Sequence, residues 1–309
     1  MKHDQESGTA RQAMLIAALA LCAILLSTLG VSYSVGPNYI NVSVDSRVNI
    51  TNAPPELLTV TVVNGTGITL NAGSTKTVLC RATMLDYNGG STIVNVTATY
   101  FDAVTNTTGD PDNNNSHYSN ASCTQDSVNG FYANYTCAFP VLYYANPSLS
   151  WTCNVTAIDS YGFNDSLSNT SRIYEIYALN VTSPIDYGDL ASGDTSANIP
   201  ANVTNLGNVA IEVNVWGYGA TPNDDLAFVC EQGTIDIDYE RFAPNATAVY
   251  AQKTALSSSP QLLGFQVPKQ TLAGTPSLNT SYWQLQVPVQ PLLGLCNGTI
   301  VFQAEDANP

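Results

Sequence analysis

The sequence predicts an all-β chain: two tandem antiparallel β-sandwiches following an N-terminal hydrophobic helix. Three observations predict it. Short β-branched runs alternate apolar and polar residues with a period of two. Gly, Asn and Asp turn signals interrupt them every 8–15 residues. No amphipathic helical period occurs after residue 33.

The N-terminal helix is read from an apolar run. Ala13–Leu26 is 14 residues of unbroken apolar sequence, and Ser27–Ser32 extends it to about 20, which as a helix matches the roughly 30 Å bilayer core. Lys2 and Arg11 precede it. Residues 1–32 therefore read as a membrane anchor, with the chain held through residues 13–32 and Arg11 on the inner side. The alternative is a cleaved signal peptide with Gly30-Val31-Ser32 as its small-residue cleavage context.

Residues 33–54 read as a stalk or leading strand closed by Pro54-Pro55, since Ile40, Val42 and Val44, then Val48 and Ile50, alternate over Tyr39–Thr51. Residues 55–178 form the first predicted sandwich. Its strands are Leu57–Val63, Lys76–Leu85, Thr92–Phe101, Gly130–Tyr143, Ser150–Ile158 and Arg172–Ala178. Residues 179–309 form the second. There Ile211, Val213 and Val215 point inward, Glu212 and Asn214 outward. Leu226, Phe228 and Cys230 share one face, Trp283, Leu285 and Val287 another, and Cys296, Ile300, Phe302 and Ala304 a third.

Cys22 lies in the apolar run, and the other six cysteines follow it. An even number beyond an export signal implies disulfides. Cys80 shares a strand face with Val78, Ala82 and Met84. Cys153 shares one with Leu149, Trp151, Val155 and Ala157. Both point into an apolar layer, so Cys80 is paired with Cys153 across the sheets. Cys123 and Cys137 then form a local bridge around the Asn129-Gly130 turn. Cys230 pairs with Cys296. Four cysteines in the first sandwich allow three pairings, of which this is the one the faces favour. A zinc site is disfavoured by the absence of any Cys-x-x-Cys pair.

The two sandwiches resemble known surface modules. The stretch "ANVTNLGNVAIEVNVWGYG" (201–219) and "YWQLQVPVQPLLGLCNGTIVFQA" (282–304) look like modules of prokaryotic, archaeal-type cell-surface proteins, in which an N-x-G-N turn joins two strands. "VLCRATMLDYNG" (78–89) and "LSWTCNVTAIDSYG" (149–162) look like immunoglobulin-like repeats of such proteins. The resemblance implies tandem immunoglobulin-like sandwiches in surface or structural roles. It carries over no catalytic residue.

Sixteen Asn-x-Ser/Thr triplets support export, where chance placement of 30 Asn among 58 Ser and Thr would give about six. They begin at Asn41, Asn49, Asn64, Asn95, Asn106, Asn114, Asn120, Asn134, Asn154, Asn164, Asn169, Asn180, Asn202, Asn245, Asn279 and Asn297. Each is an N-glycan acceptor on an exported chain. Asn134 and Asn297, close to proposed bridges, are expected to be too crowded, leaving the other fourteen as acceptors. Asn95, Asn154 and Asn202 are expected to face outward from strands.

Charge excludes one function class. The chain carries 24 Asp and Glu against 9 Lys and Arg, a net −15, the opposite of what phosphate binding needs, so nucleic acid is not a partner. No catalytic residue is assigned. His117, the one exported histidine, reads as part of a solvated, turn-rich loop. Asp236, Asp238 and Glu240 alternate along one strand of "TIDIDYE", with Ile235 and Ile237 inside; as a glycosidase pair they need a cleft, and a solvated outer face is the plainer reading. Asp110, Asp112 and Asn114 place oxygens at alternating positions, as calcium loops do, without the Gly and Glu such loops need. They read as a weak calcium site, and no other cofactor is implied. Tyr132, Tyr135, Tyr143 and Tyr144 surround one hairpin and read as packing or a sugar-binding platform.

These features describe an exported, glycosylated, non-enzymatic surface protein: a structural or adhesive spacer that presents loops outside the membrane. Its partners are then itself or other surface proteins, with no small-molecule substrate. One alternative is a subunit of an extracellular filament or sheath, with the Ile40–Ile50 strand added to a neighbour's sheet edge. Another is a secreted glycan-active enzyme or glycan-binding module. A leading strand paired within its own domain favours the spacer; a free one favours assembly.

Overall fold

The computed structural model describes residues 42–63 and 67–307. The predicted helix with its anchor, Cys22, and the acceptors Asn41 and Asn64 lie outside them. No helix among the described residues is long and apolar enough to cross a membrane. The chain divides into two units, Met1–Thr51 and Asn52–Pro309.

Of the stalk or leading strand read over residues 33–54, residues 42–51 are described in the first unit. They carry no strand and pair with no described strand. Their apolar side chains stand in solvent: Val44, Val48 and Ile50 are 83–84% exposed. Alternation alone does not make a strand, because a strand needs a partner for its backbone groups.

The second unit is all-β. It begins with eight strands: β1 (Glu56–Val62), β2 (Thr75–Leu85), β3 (Ile93–Asp102), β4 (His117–Asn120), β5 (Thr124–Asn129), β6 (Tyr132–Leu142), β7 (Ser148–Asp159) and β8 (Asn164–Ile173). Two antiparallel sheets, ordered β1-β2-β6-β5 and β4-β3-β7-β8, face each other across one core. The period-two faces read from the sequence form that core: Val78, Cys80, Ala82 and Met84 from one sheet meet Trp151, Cys153, Val155 and Ala157 from the other, all buried. The indole N–H of Trp151 donates to the Asn146 carbonyl (2.9 Å), so its burial leaves no polar atom unpaired.

Two edges of this sandwich differ from expectation. The strand predicted over Arg172–Ala178 is instead Asn164–Ile173, a polar edge strand whose alternation is hidden by Ser, Asn and Asp. Leu149, expected inward beside Trp151, is 77% exposed, because the β7–β8 register slips between Ser148 and Trp151 and a slip reverses the face.

Three disulfides staple the unit: Cys80–Cys153, Cys123–Cys137 and Cys230–Cys296. The first ties the two sheets together through the core, with both cysteines fully buried.

The remaining strands are β9 (Leu179–Val181), β10 (Ile199–Asn205), β11 (Ile211–Tyr218), β12 (Leu226–Gln232), β13 (Thr234–Asp236), β14 (Glu240–Ala243), β15 (Thr254–Ala255), β16 (Gln261–Val267), β17 (Leu278–Leu285), β18 (Leu293–Asn297) and β19 (Thr299–Asp306). The sheets β15-β14-β17-β10-β9 and β16-β11-β19 enclose a second core around Trp283, Phe242, Ile211, Val213 and Val215. A small third sheet, β13-β12-β18, carries the Cys230–Cys296 bridge between directly paired residues and covers its own cluster of Ala227, Ile235, Leu285 and Val287.

The two cores meet at the Asn205-Leu206-Gly207-Asn208 turn, which links β10 to β11 and also clasps the connector from the first sandwich. Asn208 is fully buried. Its side-chain oxygen accepts from the Ile176 amide (2.7 Å), and its side-chain nitrogen donates to the Tyr174 carbonyl (2.9 Å). The Leu206 amide donates to Ala178, and the Leu206 carbonyl accepts from Gly73. Gly207 is required here: a Cβ would stand 1.9 Å from the Ile176 oxygen. On the far side of the joint Lys269 donates to the Tyr144 carbonyl (3.4 Å) and to Asn146. Tyr143 donates to Gln270, and Asn115 to the Thr271 carbonyl (2.7 Å). The two sandwiches are therefore joined along two fronts.

The bridges rank by the loops they close. Chain entropy assigns about 4 kcal/mol to Cys80–Cys153 and about 3 kcal/mol to Cys123–Cys137, from separations of 73 and 14 residues. Urea unfolding of Cys80→Ser is expected to show the larger loss of stability, with Cys123→Ser milder.

Candidate functional site: a groove along the open side of the second sandwich

The second sandwich is not closed along one side. β9 ends one sheet and β19 ends the facing one. β9 is short because the chain leaves β10 after the Thr182 amide has bonded to the Asn202 carbonyl. Both edges border a groove of about 310 Å³. Val181 and Ile185 form one wall, and Ile300 and Phe302 the other, with Phe228 between them. These side chains are only partly buried, although they pack against the cores behind them.

Glu240 is the one charged residue lining the groove. It is 2% exposed, and its Oε1 accepts from the Tyr187 hydroxyl at 2.6 Å. No described cation pairs with it. Removal from water pushes its carboxyl up to about 7, the hydrogen bond from Tyr187 acting in the opposite direction. Burial, then the charge of Glu240, raises the Tyr187 hydroxyl well above its usual range.

Glu240 corrects the expected alternation in "TIDIDYE". Asp236 ends β13, and Ile237–Tyr239 is a 3-10 turn. That turn resets the phase, so β14 begins with Glu240 facing the core beside Phe242. The three acids share no face, and Glu240 is not on a solvated one. A turn inside a short alternating run leaves no mark on the sequence pattern.

A larger cavity of about 530 Å³ adjoins the groove and shares Ile185 and Phe228 with it. Leu285, Val287 and Leu292 line it, and Leu293 and Leu295 stand at its rim, 68% and 70% exposed. The lining is mixed: Thr182, Ser183 and Thr299 stand among the apolar walls of the groove with Glu240, and Asp186, Asp189 and Ser192 line the adjoining cavity beside its leucines.

His117 also departs from expectation. It lies on β4, 1% exposed, stacked on Phe101, with Nδ1 2.9 Å from Asp112 Oδ1. Ser119 Oγ donates to that same oxygen at 2.7 Å. Ser, His and Asp thus meet, but Asp bridges the other two. A nucleophilic triad needs His in the middle, with its Nε2 on the serine. Here Nε2 is buried with no hydrogen-bond partner among the described residues.

The proposed calcium oxygens are used locally. Asp110 accepts from the amide and hydroxyl of Thr107, which holds its carboxyl below the usual range. Burial acts to raise Asp112, and hydrogen bonds from Ser119 and His117 outweigh it. Asn114 sits at φ 62°, its carbonyl taken by the Tyr118 hydroxyl. Among the described residues no group of three His, Cys, Asp or Glu is placed to hold a metal. The tyrosines separate: Tyr132 is 49% exposed, Tyr135 is in the first core, and Tyr143 and Tyr144 pack edge-to-face at the joint. They form no platform.

None of the fourteen described triplet asparagines is buried. Asn95 and Asn202 are exposed on β3 and β10, and Asn154 is half-buried on β7. Asn120 and Asn169 spend their amide nitrogens on the Ala138 and Val60 carbonyls, and Asn134 donates to Ser127.

No protein-family model matches the chain, and no curated protein matches it. Among solved structures, a chaperone–tip adhesion subunit pre-assembly complex from archaic chaperone-usher Csu pili of Acinetobacter baumannii is similar at 8% identity and a TM-score of 0.40, covering 77% of this chain and 96% of that one. A carbohydrate-binding module of the β-sandwich superfamily matches at 10% identity and a TM-score of 0.25, covering 83% and 99%. A titin fragment matches at 10% and 0.25, covering 82% and 96%. Likeness at this level assigns no family to the chain.

The groove makes a stability prediction. Well below pH 4.5 the Glu240 carboxyl is protonated in the folded and unfolded chain alike. Above it the unfolded chain releases the proton first, so the folded state loses stability as pH rises, by about 3 kcal/mol once past pH 7. Glu240→Gln, which keeps an acceptor for Tyr187 and cannot ionise, is expected to melt above the wild type at pH 8. The difference should vanish well below pH 4.5, as read by thermal unfolding across pH.

Proposed function

We propose that the chain is an exported, glycosylated and non-enzymatic surface protein whose two sandwiches act as one rigid spacer, holding loops away from the membrane. The joint carries this reading. A buried Asn208 clasp on one front and the Lys269 and Gln270 contacts on the other make two modules behave as one body, as a spacer requires. The three disulfides suit an oxidising exterior. So does a surface on which no described acceptor asparagine is buried. A chain with few charges draws its solubility from amides, hydroxyls and attached sugar. Labelling of intact native cells with a membrane-impermeant reagent should modify the full chain. Peptide mapping should then find sugar on Asn95 and Asn154, which make no other side-chain bond, ahead of Asn134 and Asn169. An unlabelled chain with free thiols would overturn the reading.

A second reading, a filament or sheath subunit, is favoured by residues 42–51. Their exposed alternating apolar side chains, on a stretch that pairs with no described strand, are what strand addition to a neighbouring subunit uses. Negative-stain imaging of native material decides between the two: fibres of regular repeat for the filament, isolated rods for the spacer.

A further inference from the structure

Glu240 is a buried acid with no counter-ion among the described residues, and it lines a groove through which a counter-ion can reach it. Its Oε1 accepts from the Tyr187 hydroxyl at 2.6 Å. Its Oε2 accepts no hydrogen bond from a described residue and is not sealed from solvent, so it opens on the groove of about 310 Å³. The neighbouring cations are engaged elsewhere. Arg241, next in the chain, stands over the Tyr250 ring. Lys253 is taken by the Asn198 side-chain oxygen and the Tyr282 carbonyl. Tyr187 is the one titratable group bonded to the carboxyl, and Asp186 and Asp189 line the adjoining cavity. A carboxylate removed from water and left unpaired is costly. A cation carried in by a ligand removes that cost.

The lining selects the kind of cation. A hard metal ion needs about six oxygen ligands or more, and most of this lining is carbon: Val181, Ile185, Phe228, Ile300 and Phe302. A guanidinium fork pairs with both oxygens of a carboxylate, and Tyr187 already holds Oε1. An ammonium has three N–H donors around one charge. Oε2 takes one of them. Ser183 and Thr299 also line the groove, and no described residue engages their hydroxyls, so they are acceptors for the rest. The aromatic walls, Phe228 and Phe302, attract a cation where aliphatic ones do not.

We propose that the groove is a binding site for a primary ammonium on an apolar stem, the ammonium on Glu240 Oε2 and the stem along Val181, Ile185 and Ile300. The inference depends on neither the spacer nor the filament reading. Binding is coupled to a proton. Burial holds the Glu240 carboxyl of the free protein at about 7, while an alkylammonium stays charged to about pH 10. The ligand pairs with the ionised carboxylate, so affinity rises about tenfold between pH 6 and pH 8.

Calorimetry and thermal unfolding of the full native-expressed chain test this with n-pentylamine, beside n-pentanol, which has the same stem without the charge. At pH 8 the amine should bind saturably and raise the melting temperature, and the alcohol should do neither. Glu240→Gln should weaken amine binding on the order of a hundredfold and abolish its dependence on pH. Because that variant alters a buried site, Thr299→Trp is the second: Thr299 is exposed, and bulk there narrows the groove and leaves the acid in place. It should melt like the wild type and lose the amine. Blocked lysine, N-acetyl-lysine amide, separates the two sources of such a group. Binding tighter than pentylamine assigns the site to a lysine side chain, and weaker binding to a free amine; either supports it. Equal binding of amine and alcohol, or of amine to wild type and Glu240→Gln, overturns the proposal. So does undiminished binding to Thr299→Trp.

Discussion

Asn208 sits at the joint of the two sandwiches with no exposed surface, accepting the Ile176 amide and donating to the Tyr174 carbonyl. The rest of the molecule depends on that pair of bonds. A connector between two cores must run through a low-dielectric region, and each of its backbone groups needs a partner there. A charged side chain would lose more by desolvation than it gained. A neutral amide presents donor and acceptor at once, in the spacing of a peptide group. Asn205 repeats the device inside the turn: its nitrogen serves the Val209 and Val267 carbonyls and its oxygen the Gly207 amide. Gly207, with no Cβ, lets the turn approach close enough for these bonds to form.

The same economy of charge runs through the chain. Among the described residues the ion contacts are Arg47–Asp45, on the surface, and His117–Asp112. Lys253, although buried, is held by the Asn198 side-chain oxygen and the Tyr282 carbonyl rather than by an acid. Cohesion comes instead from alternating apolar faces, covalent staples and amide bonds, none of which is screened by salt.

Two structural irregularities supply the molecule's open features. The early departure of the chain from β10 shortens β9 and opens the groove. The turn at Ile237–Tyr239 resets the register and turns Glu240 inward beneath it. Either alone would leave a slightly frayed sandwich. Together they leave a groove of mixed lining, with Glu240 as its one charged residue, between two sheet edges.

The sequence by itself determined what local periodicity determines. Val78, Cys80, Ala82 and Met84 had to share a face, as did Trp151 and Cys153, and two such faces can be buried only against one another; the all-β class and the inward cysteines follow. It failed where period two is interrupted or masked. The slip before Trp151 exposed Leu149, polar Asn164–Ile173 concealed an edge strand, and the turn before Glu240 was silent. His117 looked solvated among Asn and Ser, because nothing local tells that Phe101 will stack on it. The groove was invisible for a deeper reason: its walls come from Val181, Phe228, Glu240 and Ile300, far apart in the chain, and its existence depends on which sheet edges remain unpaired. Pairing is decided by hydrogen-bond partners that only the assembled sandwich brings together, so the fold class belonged to the sequence and the site to the tertiary structure.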